Sequence, residues 1–119
     1  MPSDLTASLA LDPAHCAPNE TVGAELRVVN AGGDEVVVGF SSGMRYDVVV
    51  ERDGTELWRW SEGRAFAQML GEETIPPGGG ALAYRVRLPA PSAPGRYRVV
   101  ATLASYDQPL AASATLDVA

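Results

Sequence analysis

Tyr46-Asp47-Val48-Val49-Val50-Glu51-Arg52-Asp53-Gly54-Thr55-Glu56-Leu57-Trp58-Arg59-Trp60-Ser61 decides the fold. Two runs of β-branched and aromatic residues flank an Asp-Gly pair, the pattern of a β-hairpin. Two closures compete. A two-residue Asp53-Gly54 turn pairs Val49 with Trp58 and Asp47 with Trp60. A three-residue loop, with Gly54 left-handed as a bulge, pairs Tyr46 with Trp60 and Val48 with Trp58, and sets Asp47 opposite Arg59. A one-residue slip moves every side chain to the other face. The second register is therefore the expected one, because it gathers the aromatics on one face and matches the charges on the other.

Alternation with a period of two continues outward from this hairpin. On the N-terminal side, Leu5, Ala7, Leu9 and Leu11 form one run, and Val22, Ala24, Leu26 and Val28 a second that closes at Asn30. Val36, Val38 and Phe40 form a third, ended by Ser41-Ser42-Gly43. On the C-terminal side, Leu82, Tyr84, Val86 and Leu88 alternate with Arg85 and Arg87. Tyr97 to Leu103 and Ala112 to Val118 complete the set. This predicts an all-β, immunoglobulin-like antiparallel β-sandwich of about eight strands, as one domain over residues 1–119. Pro94-Gly95-Arg96-Tyr97 opens its strand as a tyrosine corner does.

Ser61 to Gly80 breaks the pattern. Arg64 to Leu70 is compatible with a short helical turn, Glu72-Glu73 reads as a solvated turn, and Pro76-Pro77-Gly78-Gly79-Gly80 is a stop. A connection of this length is either a crossing between sheets or a functional loop.

The composition narrows the function. The 119 residues are 46% hydrophobic and 20% charged, with a net charge of −6. A surface of that sign repels nucleic acid and anionic lipid, so neither is an expected partner. All nine basic residues are arginine. No run approaches the length of a membrane span. The first residues have neither the basic nor the apolar region of a signal peptide, so the expected location is the cytoplasm. A leader upstream of Met1 would instead make the protein secreted or envelope-bound.

Chemistry-bearing residues are few. His15 is the one histidine and Cys16 the one cysteine. Neighbours on an extended chain do not face each other as a nucleophile and its base must, so both are expected to be loop or edge residues. A zinc site needs three or four ligands, so no metal is expected. Asp53, Glu56, Glu72 and Glu73 do not follow calcium-loop spacing. The Pro76 to Gly80 run lacks the Gly-Lys-Ser/Thr ending of a phosphate loop. No catalytic residues and no cofactor are expected. A catalytic reading would require two carboxylates converging in a deep pocket.

One ordered set of residues is specific. Val28-Val29-Asn30, Phe40-Ser41-Ser42-Gly43, Tyr46-Asp47, Asp53-Gly54, Trp58-Arg59-Trp60-Ser61, Phe66 and Gln68 follow one another. Ile75-Pro76-Pro77-Gly78, Tyr84 and Pro94-Gly95-Arg96-Tyr97 continue the series. Over roughly Thr21 to Leu103 the chain resembles the BsuPI family of intracellular proteinase inhibitors. The resemblance implies a cytoplasmic β-sandwich that binds a protein partner, a subtilisin-type serine protease.

The signature residues Tyr46, Asp47, Trp58, Trp60, Ser61 and Gln68 read first as structural, with the aromatics on the buried face of the hairpin. Phe66 reads as a plug at the open end of the sandwich. For contact with a protease the candidates are Arg64, Phe66, Met69 and Leu70, with Met69 or Leu70 entering an apolar specificity pocket and Arg64 at its polar rim. A second route is strand addition at an exposed sheet edge. The alternative function is a generic immunoglobulin-like interaction module of an envelope or assembly system, without inhibitory activity. Oligomeric state is not legible from these residues.

Overall fold

In the computed structural model, which describes residues 4–119, the alternating runs become strands. They are β1 (Leu5–Asp12), β2 (His15–Cys16), β3 (Thr21–Asn30), β4 (Val36–Phe40), β5 (Tyr46–Arg52), β6 (Thr55–Arg59), β7 (Gly71–Ile75), β8 (Gly80–Pro89), β9 (Gly95–Leu103) and β10 (Leu110–Val118). A three-stranded sheet has the order β1-β3-β8, a five-stranded sheet the order β2-β10-β9-β5-β6, and β4 pairs with β7 in a two-stranded ribbon. All pairings are antiparallel except the short β2–β10 contact. The expected immunoglobulin-like sandwich is what these sheets form.

Alternation explains which side of each strand is buried. Val22, Ala24, Leu26 and Val28 of β3, with Val86 and Leu88 of β8, come from the first sheet. Val48 and Val50 of β5, Tyr97, Val99 and Ala101 of β9, and Leu116 of β10 come from the second. The ribbon adds Val38, Phe40 and Ile75 to the same core. The outward positions carry charge pairs set directly opposite one another. Glu25 faces Arg85, Glu51 faces Arg98 and Asp117 faces Arg96 in register, with ion-pair distances of 2.7, 3.7 and 3.0 Å. Exposed pairs of this kind contribute little stability but penalise a slipped register, where like charges would meet.

The hairpin register differs from expectation. Asp53 and Gly54 both take positive φ, 52° and 79°, so the turn has the two-residue type I′ form. Arg52 then pairs with Thr55 and Glu51 with Glu56, but beyond them Val50 pairs with Trp58 and Val49 with Arg59. Leu57 is the extra residue of a bulge. It flips the parity of β6, so Trp58 joins Val50 on the inner face without the three-residue loop. The Trp60 N–H donates to the Val48 carbonyl at 2.9 Å, which places Asp47 level with Ser61 and not with Arg59. The aromatic face and the charged face were assigned correctly; the pairing was not.

Two strands were not anticipated. Glu72-Glu73, expected as a solvated turn, instead lies within β7, which pairs along β4 from Val36↔Ile75 to Phe40↔Gly71. His15 and Cys16 form an edge pair with Asp117 and Val118. The two side chains point apart, His15 outward and Cys16 into the core. Burial, then the nearby Glu20 charge, raises the Cys16 thiol above its ordinary value, which makes it a poor nucleophile. The helical turn expected within Arg64 to Leu70 does not form, and no helix occurs among the described residues. Within this segment Arg64 and Phe66 pack on Trp60, and the Ala67 carbonyl accepts from the Gly43 N–H.

Two polar devices hold the ends of the sandwich. Asn30 is fully buried, donating from Nδ2 to the carbonyls of Asp34 and Ile75 and accepting from the Gly32 N–H. It ties the end of β3 to the following turn and to β7. The Tyr97 hydroxyl donates to the Ala93 carbonyl at 2.6 Å, four residues upstream, so the tyrosine corner is present. Tyr97→Phe is expected to lower stability by about 1 kcal/mol, the net value of one hydrogen bond. Urea denaturation of the two proteins measures it.

Candidate functional site

The β5–β6 hairpin does not end at Arg59; it launches the segment that reaches β7. The first fixed point of that segment is Asp47. Its buried carboxylate accepts from the Val48 N–H at 2.9 Å, the Ser61 N–H at 3.1 Å, the Ser61 hydroxyl at 2.6 Å and Arg59 Nη1 at 2.7 Å. Burial alone would push its pKa up. The bonds from Ser61, Arg59 and the two backbone N–H groups outweigh that, and the carboxyl sits below its ordinary value. Arg59 is also engaged by Glu56. Asp47 and Ser61 thus act as a structural clasp.

The second fixed point is aromatic. Tyr84, Tyr46, Trp60 and Phe66 form a continuous tilted stack, with centroid distances of 5.1, 4.6 and 5.8 Å between successive rings. Tyr46, Trp58 and Trp60 are half-buried and pack against the core from its rim. Phe66, also half-buried, lies on Trp60. Arg64 stacks its guanidinium on the Trp60 ring at 4.4 Å and donates from Nε to the Trp60 carbonyl at 2.9 Å. Trp60 therefore holds two of the four candidate contact residues.

The third fixed point is backbone: the Gly43 N–H donates to the Ala67 carbonyl at 2.8 Å. Four residues later Gly71 enters the ribbon opposite Phe40. Between these anchors stand Gln68, Met69 and Leu70. All three are exposed, Met69 to 68% and Leu70 to 80%. The structure thus divides the candidates. Arg64 and Phe66 pack on the hairpin, whereas Met69 and Leu70 project from a short segment held on both sides. Of the signature residues, Asp47, Trp60 and Ser61 anchor the start of this segment, Tyr46 stacks on Trp60, Trp58 packs against the core, and Gln68 lies on the segment itself.

Some contributors were missed. Ser61 was noted only as part of a motif, and its bonds to Asp47 follow from the Leu57 bulge, which local pattern does not reveal. Tyr106 is 63% exposed. It sits over Gly39, where even a Cβ would lie 2.6 Å from its hydroxyl. Its loop is clamped to β4 by the Gly39 N–H donating to Asp107 at 2.9 Å and the Ser105 hydroxyl donating to the Gly39 carbonyl at 2.7 Å. Elsewhere, two open grooves of about 420 and 730 Å³ lie near the β5–β6 turn and on the outer side of the three-stranded sheet. Of the carboxylates that line them, Glu51 is paired with Arg98 and Glu25 with Arg85.

Residues 9–108 match the family BsuPI, described as intracellular proteinase inhibitor. The chain belongs to the BsuPI family. No curated protein matches it. Among solved structures, it is similar to the CARDB domain of a Pyrococcus furiosus protein, determined in complex with di-metal ions. The TM-score is 0.55 and the identity 21%, over 97% of this chain and 92% of that one. It is also similar to the sporulation control protein Spo0M from Bacillus subtilis, with TM-score 0.62 and 15% identity, over 98% of this chain and 49% of Spo0M. At these identities the likeness concerns the sandwich fold and nothing further. Among the described residues, no group of three or more His, Cys, Asp or Glu side chains is placed to hold a metal. No helix among them is long and apolar enough to cross a membrane.

Proposed function

We propose that this chain, as a single unit over residues 1–119, inhibits a subtilisin-type serine protease inside the cell by presenting Met69 or Leu70 to an apolar specificity pocket. The observation that carries the reading is the pair of large apolar side chains, 68% and 80% exposed, on a segment fixed at Ala67 and Gly71. Apolar side chains of that size are costly to leave in water, and a braced segment loses little entropy on binding. No disulfide is available, since Cys16 is alone and buried. The Asp47–Ser61 clasp, the Trp60 stack and the β4–β7 ribbon take its place. Arg64, fixed on Trp60 and exposed, provides a cationic rim.

Strand addition at β6 is the weaker route. The Leu57 bulge interrupts the ladder there, as bulges on sheet edges do where pairing is avoided.

Titration of a panel of intracellular and extracellular subtilisins tests the reading. Equimolar protein is expected to abolish the activity of at least one. Full residual activity throughout, with rapid cleavage within Ser61 to Leu70, would mean that the segment is a substrate and the domain an interaction module without inhibitory activity.

A further inference from the structure

We propose that Arg45 is a positioning residue for the Met69–Leu70 segment, the brace that holds this bond in an inhibitory and not a cleavable geometry. The proposal deepens the reading above and rests on it for its functional meaning. Arg45 lies in the turn between β4 and β5, and its guanidinium meets the elements that anchor the two ends of the segment. Nη1 donates to the Ser42 carbonyl at 3.0 Å, immediately before Gly43, whose N–H holds Ala67. Nε faces the Glu73 carboxylate of β7 at 3.4 Å. The guanidinium plane covers the Phe40 ring, with its carbon 4.4 Å from the centroid, and Phe40 pairs with Gly71. Nη2 occupies the space beside Gly71, 2.7 Å from where a Cβ would stand.

One rigid planar group thus joins the turn that fixes Ala67 to the strand that fixes Gly71, across the base of the exposed pair. Its backbone is fixed in turn, since the Arg45 carbonyl accepts from the Ala104 N–H at 2.9 Å. A planar fork with several donors can hold these partners together, which a single ammonium cannot.

Gly71 supplies an independent handle. A methyl group there collides only with the far end of the Arg45 side chain, so Gly71→Ala displaces the brace while leaving Arg45 and its charge in the protein.

The test compares wild type, Arg45→Ala and Gly71→Ala under native conditions. Cleavage between Gln68 and Gly71 by a trace of subtilisin is followed by mass spectrometry, beside inhibition constants and urea midpoints. Loss of charge-assisted bonds should raise cleavage at this segment about 10- to 100-fold in both variants. Inhibition should weaken by a similar factor, and the urea midpoint should fall in both variants by no more than the lost bonds account for, with no new cleavage outside the segment. Wild-type cleavage in Gly71→Ala overturns the proposal, as does an increase spread along the whole chain in step with a lower midpoint. If Arg45→Ala does not fold, Gly71→Ala decides. Absence of inhibition by wild type would remove the inhibitory reading alone, because the cleavage comparison still shows whether Arg45 braces the segment.

Discussion

Replacement of Asp47 by alanine is expected to lower the unfolding free energy by about 3 kcal/mol, the range for removing one partner from a buried, charge-assisted network. For a domain of this size that is a fall in melting temperature of roughly 10 °C. The loss does not come mainly from Arg59, which is 41% exposed, so its pairing is screened, and which keeps Glu56 as a partner. It comes from the Ser61 hydroxyl and N–H and the Val48 N–H, which lose their acceptor in a place water reaches poorly.

The same network makes stability depend on pH. The folded-state pKa of Asp47 lies below its unfolded value, so the contribution is complete above the ordinary carboxylate range and is lost as pH falls through the folded value. Asp47→Asn should therefore narrow its stability gap to wild type on acidification from neutrality to below about pH 4. Thermal melts of both proteins across that range measure it. A gap that stays constant would show that the carboxylate charge is not what the clasp uses.

The second large effect is functional. Met69→Asp together with Leu70→Asp should weaken inhibition at least 100-fold, because a carboxylate loses its hydration in an apolar pocket and the buried anchor is gone. Stability should change by less than about 1 kcal/mol, since both positions are exposed and make no core contact. The combination separates this site from Asp47, where loss of function would follow loss of structure. Normal inhibition by the double variant, with an unchanged melting temperature, would place the contact surface elsewhere.

Strand composition was legible wherever inward residues were apolar and outward residues polar, as in β3, β8 and β9. It failed at β7, where the half-buried inward residue Glu73 is matched by Arg45 from another segment, a partner that local pattern cannot supply. It failed at β2 because two residues carry no period. The hairpin register failed because parity was restored by a bulge at Leu57 inside β6, whereas the bulge expected from the sequence stood at Gly54 in the turn. The helical turn expected within Arg64 to Leu70 reflected local propensity, which was overridden by the contact of Phe66 with Trp60 and by Gly43 holding Ala67. Residue type singled out Met69 and Leu70, but their exposure depends on anchors formed by residues far apart in sequence. Arg45, central to those anchors, carries no motif.

The most direct measurement is hydrogen exchange of the protein bound to a subtilisin whose catalytic serine has been replaced. Slowed exchange is expected to be concentrated at Gln68 to Gly71, with little change along β6. Protection along Thr55–Arg59 and none between Ala67 and Gly71 would contradict it.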